Sequence, residues 1–315
     1  MAESIIEINN LVKDYGDTRA VDHLQMNIEK GEIFGLLGPN GAGKTTIILS
    51  LLGLTEPTSG RVFVKGFDAT SEPIKVKKIT GYLPDEVGFS ANSTALESLI
   101  YTAMLNEIPR EKAEKSAHQW LETVGLKESK SQKTKTFSKG MIQRLGLAEV
   151  LVKNPEIIVL DEPTIGIDPK GINEFLELIR RLSKENRLTV LLSSHLLHQV
   201  QKICDRVGIL VDGNLRAQGN ISKLAADLFG NSDTTFTVEA DPISDPLIND
   251  LSNIKNIKVV NKNSHTITLK GEKGSAPVIS SLIIQHGARL YQLSYKEYGL
   301  DEIYQHYFEG RTIDA

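Results

Sequence analysis

Two short segments of this chain carry residue types suited to phosphate chemistry. Residues 38–46 read GPNGAGKTT, which fits the pattern G-x-x-x-x-G-K-[ST]. Gly38, Gly41 and Gly43 leave room for the backbone to wrap an anion, with Pro39, Asn40 and Ala42 completing the loop. Successive N–H groups and the positive end of a following helix would then face a phosphate. Lys44 is placed to neutralise β- and γ-phosphates, the Thr45 hydroxyl to ligate Mg²⁺, and Thr46 to donate to a nearer phosphate. A glycine-rich turn with an exposed lysine is the bland alternative; the strand expected before the loop and the helix after it argue against that. The second segment is residues 157–161, IIVLD, followed by Glu162. Asp161 emerges at the carboxyl end of an apolar strand, where α/β sheets bind ligands, and can hold Mg²⁺. Glu162 is placed to orient or deprotonate an attacking water. Alone, an apolar run ending in two acids is a weak signal. Beside the phosphate loop it reads as the other half of a nucleotide-hydrolysing site.

These residues need elements to hold them. Apolar runs at residues 5–12, 20–28, 32–37 and 61–64, separated by turn signals, predict strands. A helix is expected over residues 43–52, stopped by Gly53. Residues 93–150 read as mostly helical, with apolar spacing at Leu96, Leu99, Ile100, Ala103 and Met104 and with Trp120 a core side chain. Continuous apolar runs at 157–160, 188–192 and 207–211 predict buried parallel strands, covered by helices at 172–182 and 196–204. The result is an α/β core with a helical insertion between phosphate loop and acidic strand. Composition shifts after Gly219. Strands at 234–239, 257–261, 266–270 and 289–294 alternate with helices at 246–251 and 276–285, and a last helix at 300–308. That order is a ferredoxin-like split unit. The expected division is a domain over residues 1–219, a linker over 220–231 and a small α+β domain over 232–315.

The 315 residues are 40% apolar and 24% charged, with a net charge of −4, so no general attraction to nucleic acid is implied. The basic stretch 127–139 lacks the interleaved aromatics of a single-strand platform and reads as a solvated linker. Cys204 is the sole cysteine, which excludes an internal disulfide and fits a reducing compartment. Its helical pattern makes it a buried structural thiol. The start, MAESIIEINN, is acidic and lacks the apolar core of a signal peptide. No apolar run approaches the roughly 18–20 residues of a membrane span, so any spanning part would be another polypeptide. His265, His286 and His306 are scattered, and no metal site is expected among them.

FSKGM at residues 137–141, next to IQRLGLA and followed by LDEPTIGID at 160–168, resembles the ATPase subunit of an ABC transporter. The resemblance runs in unbroken order over roughly residues 4–215. It implies a P-loop NTPase core with antiparallel β and helical subdomains, with ATP and Mg²⁺ as cofactors. It implies a homodimer in which the signature turn of one subunit closes the ATP site of the other. Ser138 and Gly140 would contact the γ-phosphate across that dimer. Tyr15 sits where the family stacks an aromatic residue on adenine. Asp168 matches the loop linking the two sites, and His195, in SSH, matches the histidine that senses γ-phosphate. A histidine after a strand is usually structural; its order after the other motifs reverses that reading. His198 is read as a surface residue.

Two departures stand out. Asp85, in GYLPDE, occupies the usual place of a glutamine, and could ligate Mg²⁺ through water or contribute a contact to the partner. In the signature turn, Lys139 replaces a glycine and Met141 a glutamine, so Lys139 could add charge at the partner's nucleotide. The resemblance further implies a separate integral membrane subunit, no nucleic acid partner, and a cytoplasmic position on the inner face of the membrane. These variants and the C-terminal domain resemble the subgroup serving drug, polysaccharide, lipid or ion export, or copper-enzyme maturation. A regulatory or docking role is expected of the C-terminal domain. The competing class is a soluble ABC-type ATPase acting on nucleic acid or ribosomes, which a single phosphate loop and the acidic balance disfavour. A kinase or GTPase would leave FSKGM without a role.

Overall fold

Burial sorts the strands of this chain into two kinds of sheet. The structure is a computed structural model and describes residues 3–229, 234–296 and 299–309. Strands β1 (Ser4–Tyr15) and β2 (Thr18–Glu29) form an antiparallel hairpin closed between Tyr15 and Thr18. β3 (Ile33–Leu37) is buried at every position and runs through the phosphate loop into helix α1 (Lys44–Leu51). Next come β4 (Ser59–Val64), β5 (Phe67–Asp68), α2 (Pro73–Ile79) and β6 (Thr80–Leu83). The helical insertion is α3 (Ala95–Leu105), α4 (Arg110–Thr123) and α5 (Lys139–Leu151). Thr94 and Glu97 form a reciprocal capping box that starts α3. The core then resumes with β7 (Ile157–Asp161), α6 (Pro169–Asn186), β8 (Thr189–Ser194), α7 (Leu197–Ile203), β9 (Arg206–Val211) and β10 (Asn214–Gly219).

The central sheet has the order β10-β9-β3-β8-β7-β6, parallel throughout except for the antiparallel edge strand β10. A second sheet, β2-β1-β4-β5, is antiparallel. β3 and β7 are buried at all five positions each, as strands covered on both faces must be. A core cluster including Ile6, Leu24, Ile47, Val62 and Val159 joins the two sheets across α1. The chain is therefore a P-loop NTPase core with antiparallel β and helical parts, as expected.

Several readings shift. Met104 is 47% exposed, and with Tyr101 and Leu105 it lines an outer face of α3; only Ala95, Leu99 and Ala103 of that helix are buried. Trp120 is half-buried and packs against Ala103, Ala113 and Val152. Cys204 caps the end of α7, and its Sγ would lie 3.0 Å from a Cβ placed on Gly35 of β3. Burial pushes its thiol pKa up, which suits an inert packing role. His198 is exposed.

Residues 221–229, placed in the expected linker, form helix α8 (Ile221–Phe229) with Leu224 buried. The described residues divide into two compact units, one over residues 3–221 and 306–309 and the other over Ser222–Gln305. The second contains β11 (Thr234–Asp241), α9 (Asp245–Asn253), β12 (Ile257–Lys262), β13 (Thr266–Gly271), α10 (Ala276–Gln285) and β14 (Arg289–Lys296). A last helix, α11 (Leu300–Glu309), follows. The strand order β12-β13-β11-β14, antiparallel throughout, is that of the split unit. Phe236, Val238 and Leu269 meet Leu247 and Ile279 of the helices in its core. No helix among the described residues is long and apolar enough to cross a membrane.

Candidate functional site

The strand order brings the distant motifs together. β3, β8, β7 and β6 are consecutive neighbours, so the turns leaving their carboxyl ends line one edge of the sheet. Those turns carry the phosphate loop, His195, the pair Asp161–Glu162, and Asp85. A cleft there is lined by Asn40, Gly43, Lys44, Thr46, Asp85 and Glu162, among others.

The loop's glycines are dictated by space and torsion. Gly41 and Gly43 have φ of +84° and +100°. A Cβ on Gly43 would sit 2.4 Å from the carbonyl oxygen of Ala20, and one on Gly38 2.5 Å from that of Leu210. Gly41 has open space around it. The loop is thus pressed against β2 and β9 on one side and free on the other. Lys44 is 6% exposed; its Nζ donates to the carbonyls of Gly38 at 2.8 Å and Pro39 at 3.2 Å. It also lies 3.3 Å from Glu162 Oε1.

Asp161 is 2% exposed and held at both oxygens. Thr45 Oγ1 donates to Oδ2 at 3.0 Å, and Ser193 Oγ donates to Oδ1 at 2.5 Å. Burial raises its pKa, opposed by those two hydrogen bonds, while the charges of Asp85 and Glu162 raise it further. Burial, with the charges of Asp161 and Asp85, likewise pushes the Tyr82 hydroxyl up to about 12. Two buried acids, with the exposed Asp85 near them, thus crowd one end of the cleft, which a cation would relieve.

Glu162 turns at a positive φ of 45°. Its Oε2 lies 2.9 Å from His195 Nδ1; an ionised carboxylate only accepts, so Nδ1 carries the proton. Its Oε1 is buried, and no described group hydrogen-bonds to it. An orphaned acceptor beside Lys44 suits a water molecule as its missing donor.

The residues present fit a magnesium–nucleotide complex. Thr45 and Asp161 offer a hydroxyl and a carboxylate side by side, and the free side of Gly41 leaves room for phosphates. Among the described residues no cluster of three or more His, Cys, Asp or Glu could hold a metal unaided. Mg²⁺ is ordinarily bound through one or two carboxylates with substrate phosphates and water supplying the rest.

Other expected residues lie elsewhere. Tyr15 is 48% exposed at the end of β1, with Lys13 Nζ 4.9 Å from its ring centre. Ser138 caps α5, its Oγ accepting the Met141 N–H at 3.3 Å. Ser138 and Lys139 are exposed, Gly140 and Met141 half-buried, and none of the four lines the cleft. The Lys139 side chain lies along Gly166, whose Cβ position is 3.3 Å from Lys139 Cγ. Asp168 caps α6, accepting the Gly171 N–H at 3.1 Å.

Two partners were not read from the sequence. Ser193 is the first residue of the tripeptide SSH that pointed to His195, but its strand was expected to stop at Leu192. Gln143 is fully buried in α5 and its Nε2 donates to the Asp85 carbonyl at 3.4 Å, linking the turn after β6 to the helix of the signature turn. The sole sequence signal for it was a polar residue on an otherwise apolar helix face.

The family pattern described as ABC transporter matches residues 21–165. The bacitracin transport ATP-binding protein of Bacillus licheniformis is 42% identical over 212 residues, 67% of this chain and 68% of that protein. The linearmycin resistance ATP-binding protein of Bacillus subtilis is 33% identical over 98% of this chain and 99% of its own length. Among solved structures, cbiO1 of Clostridium perfringens, part of the transporter complex cbiONQ, matches with a TM-score of 0.64 and 30% identity over 69% of this chain and 89% of that one. The ATP-binding cassette MJ0796, solved as a dimer in a post-hydrolysis state with ADP and phosphate, gives a TM-score of 0.62 at 25% identity, over 68% and 98%.

Proposed function

The chain belongs to the ATP-binding proteins of ABC transporters, ATPases coupled to transport, and from that premise we propose that two copies enclose two ATP molecules and drive a separate membrane-spanning subunit. One observation carries the hydrolytic part: the buried Oε1 of Glu162, without a hydrogen-bond donor and 3.3 Å from the Lys44 ammonium. That oxygen accepts a proton from the attacking water, while His195 holds Oε2 and so fixes the rotation of the carboxylate. Lys44 leaves the Gly38 and Pro39 carbonyls for the β- and γ-phosphates. The N–H groups of residues 40–46 wrap the phosphate chain, and Tyr15 stacks on adenine. Thr45 and Asp161 would hold Mg²⁺, with Asp85 a candidate third ligand through water. When bound, the ion neutralises charge on the β- and γ-oxygens.

Ser138 to Met141 do not line their own cleft. This supports the assignment of Ser138 and Gly140 to the γ-phosphate of a second copy, with Lys139 adding charge and Met141 packing there. Asp168 would link the two sites. The related cassette solved as a dimer with ADP and phosphate supports the pairing of two copies. The relatives named for bacitracin transport and for linearmycin and daunorubicin/doxorubicin resistance support drug export as the transport class. The protein would then sit peripherally on the cytoplasmic face of the membrane, with residues 232–315 regulating or docking the assembly.

Glu162→Gln tests this reading. Turnover should fall by about 10²–10⁴-fold, the usual worth of a general base, and an ATP-trapped dimer should accumulate on size exclusion with light scattering. Phosphate release near the unmutated rate would overturn the role of Glu162. A variant that binds ATP yet stays monomeric would overturn the dimer.

A further inference from the structure

We propose that Ser193 is a positioning residue for hydrolysis, one hydroxyl that fixes both acids of the site at once. This rests on the roles given above to Asp161 and Glu162. Ser193 lies on β8 directly opposite Asp161 in the parallel β7–β8 pair and is fully buried. Its Oγ donates to Asp161 Oδ1 and accepts the N–H of Glu162 at 3.0 Å. A hydroxyl has one proton and two lone pairs. The carboxylate takes the proton and the amide takes a lone pair, so neither partner can be exchanged for the other.

Two consequences follow from this geometry. Thr45 holds Oδ2 of Asp161, so Ser193 supplies the second point that stops the carboxylate rotating. The Ser193 hydroxyl need not let go of Asp161 Oδ1 when Thr45 turns to another ligand, because Thr45 engages the other oxygen, Oδ2. Glu162 meanwhile stands at a φ of 45°, a region that strains a residue with a Cβ. Its N–H is held both by Ser193 Oγ and, at 3.3 Å, by the Ser193 carbonyl. That double hold keeps the turn in the conformation that aims the side chain between Lys44 and His195. An alanine would leave the buried Asp161 Oδ1 without its donor, and would remove one of two acceptors from the strained amide.

The test uses the full-length chain. Ser193→Ala should lower kcat for ATP by about 10–100-fold, the usual effect of removing a group that orients a metal-binding carboxylate, with KM nearly unchanged. Ser193→Thr, which keeps the hydroxyl, should restore most of the rate. The second readout does not depend on turnover. In the Glu162→Gln background, binding of a fluorescent ATP analogue is titrated with Mg²⁺. Adding Ser193→Ala should raise the Mg²⁺ needed for half-saturation by about tenfold and leave binding in excess chelator unchanged. An unchanged Mg²⁺ requirement, or a rate for Ser193→Ala equal to the unmutated one, would overturn the proposal. If Glu162→Gln alone hydrolyses normally, the fault lies with the reading of the site and not with Ser193.

Discussion

Gly43→Ala should separate the torsional demand of the phosphate loop from its steric demand. Gly43 has a φ of +100°, and its added Cβ would lie 2.4 Å from the Ala20 carbonyl oxygen. Real Cβ atoms stay beyond 3.0 Å, so the loop and β2 must part by at least 3.0 − 2.4 = 0.6 Å. The oxygen belongs to the backbone and cannot swing aside as a side chain would. Gly43 is also the residue that caps α1, so the displacement passes directly to Lys44 and Thr45. A misplacement near 1 Å is worth about 10²-fold in rate, so a loss on the order of 10–100-fold is expected here.

Gly31→Ala is the matched control. Its φ is +80°, and nothing lies within 4 Å of the added Cβ. It should carry only the torsional penalty, about 1–3 kcal/mol of stability, with turnover unchanged. Gly43→Ala should add about 1–3 kcal/mol more from overpacking. Urea denaturation reads the stability of both variants and phosphate release reads kcat. Equal midpoints and equal rates for the two would refute the steric argument.

Two further outcomes follow from buried polar groups. Thr164 Oγ1 donates to Gln199 Oε1 at 2.7 Å, tying the turn after Glu162 to α7. Thr164→Val should strand that acceptor and lower stability by about 1–3 kcal/mol in urea, while Thr164→Ser should not. Glu149 has its pKa raised by burial, against the pull of the Thr102 hydrogen bond. A carboxyl raised in the folded state weakens the fold above that pKa, and the penalty fades as pH falls toward the unfolded value. Glu149→Gln should therefore raise the thermal midpoint at neutral pH, with the gain shrinking through the carboxylate range; a gain that grows on acidification would contradict this.

The continuous apolar runs were the legible part of the core, because a strand buried on both faces has no polar positions to confuse it. β3 and β7 were read within one residue of their observed bounds. β8 was cut short at Leu192 because two serines look like a strand end. It continues through Ser194, with both serines buried and their hydroxyls paired to neighbouring groups. α2 and β6 went unread for a different reason. α2 buries only Val76, and β6 is the four residues TGYL, so neither offers a period long enough to detect. β10 is an edge strand with no fully buried position. The second unit was legible from Thr234 onward, since turn residues bound its strands and helices, whereas α8 was read as linker. In the site, the motifs revealed Lys44, Asp161 and Glu162. They could not reveal Ser193, whose role depends on which strand lies beside β7.

That dependence on neighbouring strands governs the whole site. Lys44 leaves β3, His195 leaves β8, Glu162 leaves β7 and Asp85 follows β6, and these strands lie side by side in that order. Sequence order is different: β6 and the helical insertion separate the phosphate loop from the acids. Crossovers through helices allow this because parallel strands need not be joined to their neighbours. With β8 between β3 and β7, a histidine at its end can reach Glu162 while Lys44 approaches the same carboxylate from the far side. The pairing of Asp161 with Ser193 is a matter of register. Side chains alternate across a strand, so a slip of one residue in β8 would turn Ser193 to the opposite face and bring Leu192 or Ser194 to Asp161 instead. The five buried residues of β7 and the six of β8 resist that slip, since it would carry every one of them out of its packing. The apolar strands therefore do more than support the acids from below: their register selects which hydroxyl the acids meet.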